Sequence, residues 1–328
     1  MNAPPLVFSI GVFFDKMPLA LRAACLLTGG ISIMGLSDNL VRLVSEDIGL
    51  GQYHFLRSAM SIAVFLLLRK FISFSLRPMR WRPVFWRALF LSLSMTLFFS
   101  VLSFLPVALA GAGLFTSPIF VLLFSVIFFK LRPGWRRSLA VMLGSFGVWL
   151  ILRPDMQAFS LIQLLPILAG AFYAGASLMT RHYCAQESPY TLSMAYFGMI
   201  GIIGFLWALA LDLGDISVTG KAAFLLRGLV WPSPEIIFWV AVMTGLSVLG
   251  ILMITKAYQM AETSYMSIFE YGYLISAGII GWLFWGNIFR TGEFIGMGLI
   301  VAAGLLVAFS AAHLSEQASN NEASSKTS

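Results

Sequence analysis

Residues 263–286 read Thr-Ser-Tyr-Met-Ser-Ile-Phe-Glu-Tyr-Gly-Tyr-Leu-Ile-Ser-Ala-Gly-Ile-Ile-Gly-Trp-Leu-Phe-Trp-Gly. A bilayer core takes about 20 apolar residues per helical span. This stretch fills that length with one charge in it, Glu270. A carboxylate at mid-span costs roughly 2.5–3.5 kcal/mol on insertion scales, so it faces protein or a water-filled path. Working outward, runs of the same kind fall at about 20–44, 52–72, 84–105, 109–130, 135–152, 161–181, 190–212, 235–257 and 291–313. The run at 20–44 also holds an acid inside it, Asp38.

Composition agrees. Hydrophobic residues make up 59% of the chain and charged residues 11%, against ~45–50% and ~25% in soluble domains. The pattern predicts an all-α polytopic membrane protein with the lipid bilayer as its solvent. The net charge of +7 does not point to nucleic acid, because the basic residues sit in short loops between spans. Cys25 and Cys184, isolated and read as lying in apolar spans, build neither a disulfide framework nor a metal spacing. No HExxH, Gly-x-Ser-x-Gly or phosphate-cradling glycine loop occurs. His54, His182 and His313 fall at different span ends, which argues against a metal cluster. The sequence calls for no enzyme activity and no cofactor, and no nucleotide domain exists to drive a pump with ATP.

Lys and Arg set the expected orientation. With the N-terminus in the cytoplasm, the inner side collects Lys16, Arg22, Arg69, Lys70, Arg77, Arg80, Arg82, Arg87, Lys130, Arg132, Arg136, Arg137, Arg181, Lys256 and Lys326. The outer side keeps Arg42, Arg57, Arg153, Lys221, Arg227 and Arg290. Both termini are therefore expected in the cytoplasm, in a cell inner membrane. Residues 1–19 read as an N-terminal cytoplasmic segment without a cleavable signal, and residues 315–328 as a disordered cytoplasmic tail.

Ten spans divide into two sets of five, at 20–152 and 161–313. An odd number per half forces the second half to lie inverted, so the expected fold is ten transmembrane helices as two inverted five-helix repeats, an arrangement found in secondary transporters. Sliding residues 108–152 onto 264–308 matches the hydropathy and places Phe128 on Phe284 and Leu143 on Leu299.

Three local motifs carry a family resemblance. The second span opens with Gln-Tyr-His-Phe-Leu-Arg-Ser (52–58), an aromatic–Arg motif. The fourth contains Ala-Gly-Ala-Gly-Leu-Phe-Thr-Ser-Pro-Ile-Phe (110–120), a small-residue run ending at a proline. The fifth and tenth carry spaced glycines, Gly144 and Gly147, then Gly296, Gly298 and Gly304. Over about residues 20–312 the chain resembles the EamA family of the drug/metabolite transporter superfamily. That resemblance implies a small-metabolite permease. Where the family often has Glu-Pro and Gly-Glu pairs in its ninth span, this chain has Tyr273-Leu274 and Gly286-Asn287, so no acid is carried over to those positions.

Candidate site residues emerge from spacing. Thr28, Ser32, Gly35, Asp38, Asn39 and Arg42 recur at intervals of three or four, which puts them on one face. Asp38 either pairs with Arg42, four residues on, or forms a substrate or proton site. In the ninth span Thr263, Met266, Ser267, Glu270, Tyr273, Leu274, Ala277 and Gly281 share a face. Glu270, with Tyr271 and Tyr273 beside it, suits an organic cation or a titrating proton-coupling group. Arg57 either captures a substrate carboxylate or snorkels to headgroups. His54 reads as interfacial. Pro118 and Pro166 read as kinks inside spans.

The substrate-binding candidates are thus Asp38, Asn39, Arg57, Glu270, Tyr271 and Tyr273. The expected function is a permease that moves a small metabolite, with an amino acid or other zwitterionic or cationic compound as a candidate, by alternating access and with possible proton coupling. The rivals are a membrane enzyme acting on a lipid-linked substrate and a non-transporting scaffold. From topology, Asp38 lies toward the outer side and Glu270 toward the inner, which suggests two points along a path rather than one cage. Oligomeric state and direction of transport are not legible.

Overall fold

The computed structural model describes residues 17–101, 104, 113–130, 134–152, 164–214, 218, 220–286, 291, 292 and 294–306. The two ends of the chain, and with them the expected tail at 315–328, lie outside the described residues. The principal helices are α1 (Leu19–Leu40), α2 (Leu50–Leu68), α3 (Trp81–Val101), α4 (Ser117–Ile127), α5 (Trp135–Leu152), α6 (Leu164–His182), α7 (Pro189–Leu213), α8 (Pro234–Met260), α9 (Gly272–Trp285) and α10 (Phe294–Leu306). Each falls within or close to one of the apolar runs, and no strand occurs among the described residues. Six segments are long and apolar enough to cross a membrane by length and composition: Leu19–Leu43, Trp81–Val101, Leu164–His182, Pro189–Leu213, Pro234–Met260 and Thr263–Phe284.

Local sequence explains the helix ends. Pro189 and Pro234 occupy the first positions of α7 and α8, where a missing N–H costs nothing. The Ser233 hydroxyl caps α8 by accepting from the Ile236 N–H at 3.3 Å. Pro118 also sits in the first turn of α4 and starts that helix rather than kinking it, contrary to the sequence expectation; the stretch before Leu164, on which the same reading of Pro166 depends, lies outside the described residues. Gly286 closes α9 in the left-handed region at φ +67°.

One span departs from expectation. Residues 263–286 are not a continuous α-helix: Thr263–Met266 is α-helical, Ser267–Tyr271 tightens to a 3-10 helix, and α9 comes next. Such a mid-helix change rotates the side chains beyond it and marks hinges. Glu270 and Tyr273, three residues apart, keep a common face through it.

The bundle packs apolar side chains at its seams and leaves many others facing outward. Leu66, Leu67, Leu123, Ile202, Phe238 and Leu249 are among many exposed apolar residues. A surface this apolar belongs in lipid, and the protein is a multi-pass membrane protein. Its main helix pairings are α1 with α8, α2 with α7, α3 with α6, α9 with α1, α3 with α7 and α4 with α6. A Cβ on Gly30 of α1 would sit 2.9 Å from the Gly250 carbonyl of α8. One on Gly147 of α5 would sit 2.7 Å from the Gly296 carbonyl of α10. Glycine permits both close approaches.

Candidate functional site

A cavity lies where α1, α3, α6, α8 and the segments around α4 and α9 converge. α1 contributes Ile31, Met34 and Asp38, and α3 contributes Leu91, Met95 and Phe98. Both sets have helical spacing, so each is one stripe turned inward. Leu114, Phe115, Ser117, Tyr173, Ile251, Ile254, Glu270 and Tyr273 complete the described lining.

Glu270 is 4% exposed. Its Oε2 accepts from the Ser117 hydroxyl at 2.9 Å and its Oε1 from the Tyr258 hydroxyl. The Tyr173 hydroxyl is a third donor. A carboxylate out of water needs such donors, and three hydroxyls from three different elements supply them. Asp38 is less provided for. Its Oδ2 accepts from the Tyr273 hydroxyl at 2.8 Å, while its Oδ1 is buried and accepts no hydrogen bond. Arg57 is close enough for its charge to act on Asp38, and the acid's hydrogen bond crosses to α9 rather than running along its own helix.

Arg57 does not snorkel. It is 1% exposed, donates to the Tyr53 hydroxyl at 3.2 Å and the Tyr196 hydroxyl at 3.5 Å, and lies 5.0 Å from the Tyr53 ring centroid and 5.7 Å from that of Phe99. These ring faces partly replace water around the cation. Its Nε has no partner. His54 is buried beside it with its ring edge on Phe99 and neither nitrogen hydrogen-bonded, so it is a core residue and not an interfacial one.

Of the six expected site residues, the structure brings Asp38, Glu270 and Tyr273 together on one cavity. Two separate points along a path are therefore replaced by one chamber. Asn39, Arg57 and Tyr271 are not in its described lining. The Asn39 amide donates to the carbonyls of Gly35 and Ala277, tying α1 to α9. The Tyr271 hydroxyl meets Ser145 at 2.8 Å and its ring lies on Gly144 of α5. Tyr173, Tyr258 and Ser117 were not expected: Tyr173 is a lone hydroxyl in an apolar run, Tyr258 sits beside Gln259 at a span end, and Ser117 follows Thr116 in the small-residue run.

Arg87, read from sequence as a loop arginine, is 3% exposed inside α3. It donates to the Thr180 hydroxyl (3.1 Å), the Leu192 carbonyl (2.9 Å) and the Thr255 hydroxyl (3.0 Å), and so clasps α6, α7 and α8. At the same end, the Gln259 amide donates to the carbonyls of Cys184 and Glu187, and Glu187 accepts from the backbone N–H of Met79 and Arg80. Cys184 lies in the connection after α6, not in a span. Burial pushes its thiol up to about 11 against the opposing pull of Arg87, which leaves no reactive thiolate. No group of His, Cys, Asp and Glu suited to a metal exists among the described residues.

Residues 21–153 match the EamA-like transporter family. A riboflavin transporter of Vibrio cholerae is 30% identical over 204 residues, which are 62% of this chain and 62% of that protein. A riboflavin transporter of Rhizobium johnstonii is 29% identical over 208 residues, 63% of each chain. The matched part of this chain thus spans under two thirds of these relatives' length. The pseudopaline exporter CntI of Pseudomonas aeruginosa is 24% identical over 291 residues, 88% of this chain and 95% of that one. A solved crystal structure superposes with a TM-score of 0.69 at 15% identity, over 90% of this chain and 98% of the other, a likeness of fold.

Proposed function

We propose that this chain, whose residues 21–153 are an EamA-type unit of the drug/metabolite transporter superfamily, is a secondary transporter that moves a small metabolite across the membrane by alternating access. The observation that carries this is the meeting of two carboxylates, half-buried Asp38 and buried Glu270, on one cavity between the helices. A purely structural pair would be packed dry, since unpaired charge in a membrane interior is costly. The relatives' names, riboflavin transporter and pseudopaline exporter, support a small organic substrate and not a lipid-linked reaction.

Two inverted halves at 20–152 and 161–313 are the architecture we assign. Support comes from the pairings: exchanging each helix for the one five places along turns the α1–α8 pair into α6–α3 and the α9–α1 pair into α4–α6. The same exchange maps α2–α7 and α5–α10 onto themselves. Rocking of such halves exposes a central site to each side in turn. The basic residues support cytoplasmic termini in an inner membrane. Asp38, Glu270 and Tyr273 line the site, Arg57 supplies charge from behind it, and Asn39 and Tyr271 hold the surrounding helices. Of the classes expected from the sequence, a cationic compound is the one that two carboxylates would attract by charge. Glu270 is the residue we assign to any proton coupling.

An unbiased metabolite comparison between cells with and without the protein names the substrate, and its flux into proteoliposomes tests the reading. Flux falls at least tenfold in the Asp38→Asn, Glu270→Gln double variant, since each loses a charged contact. Undiminished flux in that variant sinks the site assignment.

A further inference from the structure

We infer that the cavity recognises its ligand through an N–H donor seated on Asp38 Oδ1 and that it takes no ligand carrying an anionic group. The inference rests on the transport reading for translocation of the bound ligand, and on the cavity alone for binding itself.

The cavity's described polar lining consists of Asp38, Ser117, Tyr173, Glu270 and Tyr273. Every donor among them is already spent. Ser117 and Tyr173 give their hydroxyl hydrogens to Glu270, and Tyr273 gives its own to Asp38 Oδ2. Glu270 accepts from three hydroxyls and has little left to offer. The remaining capacity is Asp38 Oδ1, buried and without a partner. A buried acceptor left unsatisfied is costly, and a ligand that satisfies it gains that energy on binding.

The rest of the lining is apolar, with Met34, Phe98 and Phe115 as large flexible or aromatic surfaces. A flat apolar or aromatic body suits those walls. The cation that an anionic ligand would need is held back. Arg57 is turned to Tyr53 and Tyr196 and is not in the described lining. A carboxylate or phosphate entering here would meet two carboxylates and no free donor, and a buried charge without a partner is strongly disfavoured. Two sources share the accepted chemistry: a neutral ring N–H and an ammonium.

The test uses the full chain purified into lipid nanodiscs, with matched pairs differing in one anionic group. Riboflavin is set against riboflavin 5′-phosphate, and tryptamine against tryptophan, with binding read by isothermal titration calorimetry. The expected result is binding of riboflavin, tryptamine or both, with each anion-bearing partner at least tenfold weaker. Asp38→Asn separates the sources. It weakens an ammonium ligand roughly tenfold to a hundredfold, and a neutral N–H ligand by less, because an amide oxygen still accepts. Anion-bearing partners that bind as well as or better than their counterparts overturn the inference. Failure of all four compounds to bind overturns it as well, as does an Asp38→Asn variant that keeps the affinity for the ligand that binds. Flux of tryptophan or riboflavin 5′-phosphate into proteoliposomes would defeat this inference and leave the transport reading intact. Binding in the expected order without flux of any compound would do the reverse.

Discussion

Arg87 and Arg57 are both buried arginines in apolar helices with no carboxylate hydrogen-bonded to them, yet their surroundings differ in kind. Arg87 spends Nε, Nη1 and Nη2 on three oxygens from three other helices. Arg57 has two tyrosine hydroxyls and two ring faces, and its Nε is unpartnered. The carboxylates divide in the same way. Glu270 has three hydroxyl donors, whereas Asp38 has one and a bare Oδ1. Complete satisfaction fixes a structure; incomplete satisfaction leaves a polar group available to something that comes and goes. The Arg87 end of the bundle reads as a clasp, and the Asp38–Arg57 region as the part kept open for a ligand.

The largest expected effect sets the two arginines against each other. Arg87→Lys keeps the charge but loses the planar fork that reaches three helices. It costs about 3 kcal/mol, as two charge-assisted hydrogen bonds go, seen as a lowered thermal midpoint in detergent by circular dichroism. Arg57→Lys costs about 1 kcal/mol, because an ammonium over the same rings keeps most of what holds it. Equal losses would break the comparison.

The carboxylates give a smaller contrast. Tyr273→Phe leaves Asp38 without a hydroxyl donor and costs about 2 kcal/mol, while Tyr258→Phe leaves Glu270 two donors and costs about 1 kcal/mol. Chemical denaturation of the two variants in the same detergent checks the order. The reverse order would mean that Glu270 is the less secure group.

The smallest effect lies outside the spans. Glu262 pairs with Arg137, joining the start of α5 to the start of the ninth span. Burial pushes the Glu262 carboxyl up, but hydrogen bonds from Arg137 and Ser264 and the charges of Arg137 and Arg181 outweigh it, so it titrates below its ordinary 4.5. The pair's contribution is therefore complete above that ordinary value and is lost as pH falls through the lowered one. Because both side chains are partly exposed, it amounts to a few tenths of a kcal/mol. Glu262→Gln flattens the acid limb of the stability–pH curve by that amount and leaves neutral pH nearly unchanged.

Much of the fold was legible. Apolar runs placed α1 to α10 because a span's length and composition are dictated by the bilayer, and that constraint acts locally. Of the spaced glycines that carried the family resemblance, Gly147 meets the Gly296 backbone. The site was legible only in its expensive members. Asp38 and Glu270 stood out because charge in lipid is rare. Ser117, Tyr173 and Tyr258 did not, since a single hydroxyl in an apolar helix costs little and is common. Arg87 misled because an arginine near a span end is ordinarily a loop residue, and only three-dimensional neighbours show that it has oxygen partners.

The sequence by itself determined that this chain lives in a membrane, where its helices run, and that two carboxylates within them need company. Tertiary structure decided what that company is. Packing seats Glu270 against hydroxyls of other helices and brings Tyr273 to Asp38 and Tyr271 to Ser145, partners that helical periodicity does not name. Whether two acids far apart in the chain share one chamber depends on how helices pack, and packing is set by contacts between residues hundreds of positions apart, as in the Tyr273–Asp38 bond.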